Sequence, residues 1–156
     1  MNKQMIKKWG AIAVVTMLAV TLLCGCSSKK SVAMDFAEAM LSDFDAKEMV
    51  SLMSEDYKAE NMDAMGAETE KIFISKLKEN FKSVEESYED KYGSKWKVKI
   101  EYIDGYEVDD DIAAVALSVT YKGKGGLFDL SDKEDVVEMT VYLVKEKGSW
   151  KVLEFE

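Results

Sequence analysis

The chain has no histidine, arginine or proline among its 156 residues, and only two cysteines, Cys24 and Cys26. Without histidine, neither a Ser-His-Asp nor a Cys-His nucleophile can be assembled, and a zinc site loses its usual nitrogen ligand. Without arginine, the planar forks that grip phosphates and guanine edges are missing. With 30 acidic residues against 21 lysines, the net charge is −9, which disfavours a nucleic-acid partner. Carboxylate, lysine, serine and tyrosine are left for any chemistry.

No stretch reaches the roughly 20 apolar residues that a membrane-spanning helix needs. An uncharged, mostly apolar run, "GAIAVVTMLAVTLL" from Gly10 to Leu23, follows Lys3, Lys7 and Lys8. A basic start, a short apolar run and small residues at its exit describe a secretory signal peptide. A disulfide between Cys24 and Cys26 would close a strained small ring, and a metal clip would lack further ligands. The order Leu23-Cys24-Gly25-Cys26 resembles the lipobox of bacterial lipoproteins. That resemblance implies cleavage after Gly25 and a diacylglyceryl, palmitate-type group on Cys26. Cys24 does not fit the lipidated position, because bulky Leu23 would precede it, and it would leave with the leader. The alternative is an uncleaved apolar anchor with two spare thiols.

The organisation expected is a leader over 1–25, a lipidated cysteine and short linker over 26–31, and one domain over 32–156. Loss of the leader's three lysines takes the net charge from −9 to −12. So acidic a domain is repelled by an anionic leaflet, and two acyl chains are the usual requirement for holding it there. The linker "SSKKS", 27–31, reaches about 17 Å when extended, which keeps the domain close to the membrane, with Lys29 and Lys30 toward the headgroups. The expected location is the extracytoplasmic face of the cell membrane, and the lysine-only basic set suggests a Gram-positive source.

Ala33, Phe36, Ala37, Met40, Leu41 and Phe44 form one helical stripe, with Ser31 as the expected N-cap. Asp45 with Glu48 has the form of a capping box opening a second helix, which carries Ala46, Met49, Val50 and Met53. After a polar stretch, Phe73, Leu77, Phe81, Val84, Tyr88 and Tyr92 mark a third helix that Gly93 closes. The pattern then changes to period two. Trp96 to Tyr102, Ile112 to Tyr121, Val137 to Leu143 and Trp150 to Phe155 read as four strands, with turns at Asp109-Asp110 and Lys147-Gly148. About three helices packed on a curved four-stranded antiparallel meander is an α+β fold.

The segments "VDDDIAAVALSVTYKG" and "VEMTVYLVKEKGSWKVLEF", with Trp150-Lys151-Val152 in the last strand, resemble the end of NTF2-like (cystatin-like) domains. Small Gram-positive lipoproteins of unknown function share this plan. The fold it implies hosts isomerases, ligand carriers and structural adaptors alike, so it does not select a function.

Two non-catalytic roles are expected to compete. One is an interaction module that docks an envelope protein through the sheet or the 122–135 connection, where Leu127 and Phe128 are apolar. The other is a carrier or sensor of a small apolar molecule, in a pocket lined by Phe81, Tyr88, Trp96, Tyr102 and Tyr121. A carboxylate/tyrosine-based isomerase or hydrolase is a more distant third, needing a buried acid. No cofactor and no metal is expected. Asp109–Asp111 lacks the EF-hand spacing, "GKGG" at 123–126 reads as a flexible connection rather than a phosphate loop, and Met49 with Met53 reads as core rather than copper ligands.

Overall fold

The computed structural model describes residues 28–125 and 131–156. Helix α1 spans Lys29–Leu41. Its N-cap is Ser28, whose hydroxyl accepts the Ser31 amide at 3.1 Å, so the helix takes in Lys29–Ser31, assigned above to the linker. Ser31 is not the cap, and its hydroxyl turns to Asp35 at 3.2 Å instead.

Helix α2, Ala46–Leu52, is capped by Asp45, which accepts the amides of Lys47 and Glu48 at 3.0 Å. Helix α3, Glu55–Ala64, is a fourth helix in the polar stretch, where none was expected. It buries no residue of its own, so it carries no apolar stripe to read. Its fixed points are the fully buried Ser54, which caps it by accepting the Tyr57 amide, and Lys58, paired with Glu55 and Glu70. Helix α4, Glu70–Tyr92, buries Phe73, Leu77, Phe81 and Tyr92 and ends at Gly93, φ 82°.

Strands β1 (Lys97–Glu107), β2 (Ile112–Lys124), β3 (Asp132–Glu146) and β4 (Ser149–Phe155) form one antiparallel sheet in that spatial order. Lys147 and Gly148, both at positive φ, make the β3–β4 turn, the backbone hand that matches strand twist. Strands β2 and β3 run further than expected, pairing Lys122 with Glu134 and Lys124 with Asp132. The long 122–135 connection therefore shrinks to 125–131. Gly123 of "GKGG" is a strand residue, not part of a flexible link.

Register shifts between Tyr102 and Asp104 in β1, and between Tyr142 and Leu143 against β4, bend the sheet. Its inner face presents Val115, Leu117, Val119, Val141, Leu143 and Val152 to α1, α2 and α4, where Val32, Phe36, Val50 and Phe73 are buried. A parallel bridge from Met53 to Val152, with the Ser54 amide donating to the Val152 carbonyl at 2.7 Å, ties the helical layer to β4.

Candidate functional site

Two clusters of chemistry-bearing side chains lie at opposite ends of the sheet. The first gathers four of the five expected pocket residues. Helix α4 places Phe81 and Tyr88 two turns apart on one face, β1 begins just after Trp96, and the end of β2 delivers Tyr121. Tyr88 meets Trp96 edge-on at 5.1 Å between centroids and Tyr121 at 5.0 Å. Tyr92 stacks on Tyr121 at 5.9 Å, and Phe44 spans Phe81 and Trp96 at 5.7 and 6.0 Å. These are ordinary packed-ring separations. The rings pack on one another between α4 and strands β1 and β2.

Their hydroxyls meet polar partners. The Tyr92 hydroxyl donates to Asp135 Oδ2 at 2.5 Å, Lys91 approaches the same oxygen at 2.8 Å, and the Tyr88 and Tyr121 hydroxyls lie 3.4 Å apart. Lys91 and the Tyr92 hydrogen bond hold the Asp135 carboxyl below its usual range, so Asp135 is a stable acceptor and not a base poised near neutrality. Burial, then the Tyr88 hydrogen bond, push the Tyr121 hydroxyl well above the usual phenol range. Among the described residues no aspartate or glutamate is buried.

The tyrosines give a pH prediction. A phenol whose folded pKa lies above its unfolded value of 10.0 binds more protons in the native state once the pH passes about 10. That stabilisation is fully present below pH 10 and is lost as pH rises toward the folded value. Stability is expected to start falling near pH 10, with part of the tyrosinate signal in the 295 nm titration delayed toward unfolding. That part is reduced, though not abolished, in Tyr121→Phe, since Tyr57, Tyr92 and Tyr142 are raised as well. A titration in which all tyrosines ionise together, before unfolding, would contradict this.

Tyr102 stands apart from the other four. It forms one wall of the second cluster, a surface groove of about 500 Å³ at the opposite end of β1, bounded by Ser28, Lys29, Lys30, Tyr106 and Trp150. The start of α1 supplies the lysines. The Lys29 ammonium sits 5.0 Å from the Trp150 ring centre and pairs with Glu107; the Lys30 ammonium sits 4.6 Å from the Tyr102 ring centre. Such contacts hold a cation over an aromatic face. Lys29 also lowers the Glu107 pKa.

Tyr106 and Trp150 were not singled out from the sequence as site residues. The alternation that made Tyr102 legible is interrupted by the bulge at Ile103. Tyr102 pairs with Leu117 and Tyr106 with Ala114, so the two leave the edge strand on opposite faces and border the groove from either side of that edge. A wider groove of about 1150 Å³ near the end of α4 is lined by lysines and acids of mixed sign, including Lys95, Lys122, Glu89 and Asp132. In the β1–β2 turn, Asp109 accepts the Asp111 amide at 2.9 Å. Among the described residues no three side chains of the metal-ligating types converge. Gly25, Cys26, Leu127 and Phe128 lie outside the described residues.

Among the described residues, four helices against a curved, four-stranded antiparallel sheet make this an α+β domain of NTF2-like fold. The chain is similar in structure to a ketosteroid isomerase-like protein from Erwinia carotovora atroseptica, with a TM-score of 0.52 at 15% identity over 81% of this chain and 88% of that one. It also resembles an NTF2-like protein of unknown function from Shewanella oneidensis, with a TM-score of 0.45 at 11% identity over 80% of this chain and 90% of that one. No family model and no curated protein sequence matches it. Among the described residues no helix is long and apolar enough to cross a membrane.

Proposed function

We propose that the chain is a non-catalytic binding domain, held on the extracytoplasmic face of the cell membrane by a diacylglyceryl group on Cys26. The observation that carries the binding role is the packed interior. Tyr88, Trp96 and Tyr121 pack on one another between α4 and the sheet, and no carboxylate among the described residues is buried enough to act as the raised-pKa base that an isomerase of this fold would need. Recognition then falls to the outer surface, which suits an envelope-protein partner. The anchor rests on the Leu23-Cys24-Gly25-Cys26 pattern.

A second reading, carriage of a small apolar molecule, is favoured by the groove between Tyr102, Tyr106 and Trp150. Its volume lies within the usual range of ligand sites. Two measurements on the protein expressed with its leader test these readings. Labelled palmitate is expected to enter the wild type and to be absent from Cys26→Ala, which should move to the soluble fraction; equal labelling of both would sink the anchor. Native mass spectrometry of the detergent-extracted wild type is expected to return the mass of the lipidated chain alone. A stoichiometric added mass would overturn the surface-docking role in favour of the carrier.

A further inference from the structure

We infer that the Tyr102–Tyr106–Trp150 end of the domain is a membrane-docking face that lies in the lipid headgroup layer. The inference rests on lipidation of Cys26. Ser28 lies on the rim of the groove, and two residues of chain span at most about 7 Å. The acyl chains attached to Cys26 would therefore bring the bilayer surface close to this rim.

The rim carries what an interfacial surface needs. Tyr102, Ile103, Tyr106 and Val108 are 39, 48, 58 and 56% exposed, which gathers four of the molecule's exposed large apolar residues along seven positions of chain. Strand β1 ends the sheet at its free edge, so this segment stands clear of the core. Tyrosine and tryptophan, with an apolar ring and a polar edge, partition to the boundary between headgroups and acyl chains. Lys29 and Lys30 carry their ammonium groups over two of these rings.

The charge around this face identifies the kind of contact. Asp104, Glu107, Asp109, Asp110 and Asp111 border it, against Lys29 and Lys30, and Lys29 is already paired with Glu107. An acid-rich border gains nothing from anionic lipid, so the docking is apolar and aromatic. Its strength comes from the covalent anchor, which converts a weak surface contact into an intramolecular one.

The test uses the processed, lipidated full chain reconstituted in vesicles of phosphatidylcholine and phosphatidylglycerol at about 4:1. An environment-sensitive fluorophore is attached at Tyr106→Cys or Lys97→Cys. Lys97 is exposed and sits nine residues earlier in β1, roughly 30 Å away along the strand. Both proteins must float with the vesicles; failure to float would overturn the anchor, and this inference with it. With flotation secured, the label at 106 is expected to be quenched several-fold more by lipid-borne quencher than the label at 97. It should also be the more protected from aqueous iodide, with both differences surviving added salt. Equal quenching at the two positions overturns the docking face while leaving the anchor intact, and a difference abolished by salt overturns its apolar character. Val108→Asp in the Tyr106→Cys background is expected to lower the lipid quenching without affecting flotation.

Discussion

Gly123→Ala is expected to destabilise the domain by about 3 kcal/mol or more, at the upper end of what overpacking costs. Gly123 does not have a positive φ, so the penalty is steric. A Cβ at this position would collide with the Tyr92 carbonyl oxygen and lie 2.7 Å from Tyr92 Cβ and 2.8 Å from its carbonyl carbon. The obstacle is the backbone at the end of α4, which cannot rotate away as a side chain would. The neighbouring Gly93 has the reciprocal constraint, since its Cβ would meet the Lys124 carbonyl. These two glycines let the end of α4 touch the end of β2, and that contact brings Tyr92 onto Tyr121 and Asp135.

Gly148→Ala is the control. Gly148 has φ 84°, and a methyl added there would meet nothing within 4 Å, so only the left-handed backbone penalty of about 1–2 kcal/mol applies. Urea midpoints converted through a common m-value test the ordering. A Gly123→Ala midpoint no lower than that of Gly148→Ala would mean that the end of α4 yields to the added methyl.

The same glycine shows where the sequence stops being legible. "GKGG" reads as a flexible connection, because glycine usually marks a turn and nothing local reveals that a helix end packs against it. Strand β2 and the α4 stripe were readable because each repeats its own period over many residues, and burial of a whole face enforces that period. Helix α3 has no such face. Its existence depends on a buried cap at Ser54 and on the pairing of Lys58 with Glu55 and Glu70, contacts that carry no periodicity. The aromatic set divides for a related reason. Phe81, Tyr88, Trp96 and Tyr121 were identified from three separate elements, and they do converge. Pattern alone does not say whether converging rings line a space or fill it, since that depends on element separations of an ångström or so. Tyr102 was grouped with them by alternation and lies elsewhere, while the groove it helps form depends on a bulge at Ile103 and a helix capped at Ser28. A one-residue insertion reverses every later side chain in a strand, so Tyr106 could not be placed without the register.

Phe36→Ala is expected to cost about 4 kcal/mol, within the range for removing a buried phenylalanine. Phe36 is fully buried in the middle of α1. Its ring meets Phe155 at 5.7 Å between centroids, so it joins the helix to the last residue of β4. Little in the surroundings can move in to fill the space, because the flanking Ala33 and Ala37 are also buried and have no atoms to extend. A loss of this size is a large fraction of the roughly 5–15 kcal/mol that holds a domain together. Phe36→Leu, which keeps most of the volume, should recover much of it. Under the docking proposal the consequence reaches the Tyr102–Trp150 end, because α1 carries Lys29 and Lys30 to Trp150 and Tyr102. In the lipidated chain, lipid quenching at position 106 is expected to fall under urea at the lower midpoint of Phe36→Ala. Lys29→Ala, by contrast, should leave the urea midpoint nearly unchanged, because its exposed ion pair contributes little. If Phe36→Ala unfolds at the wild-type midpoint, α1 is not the element that fixes the anchored end to the sheet.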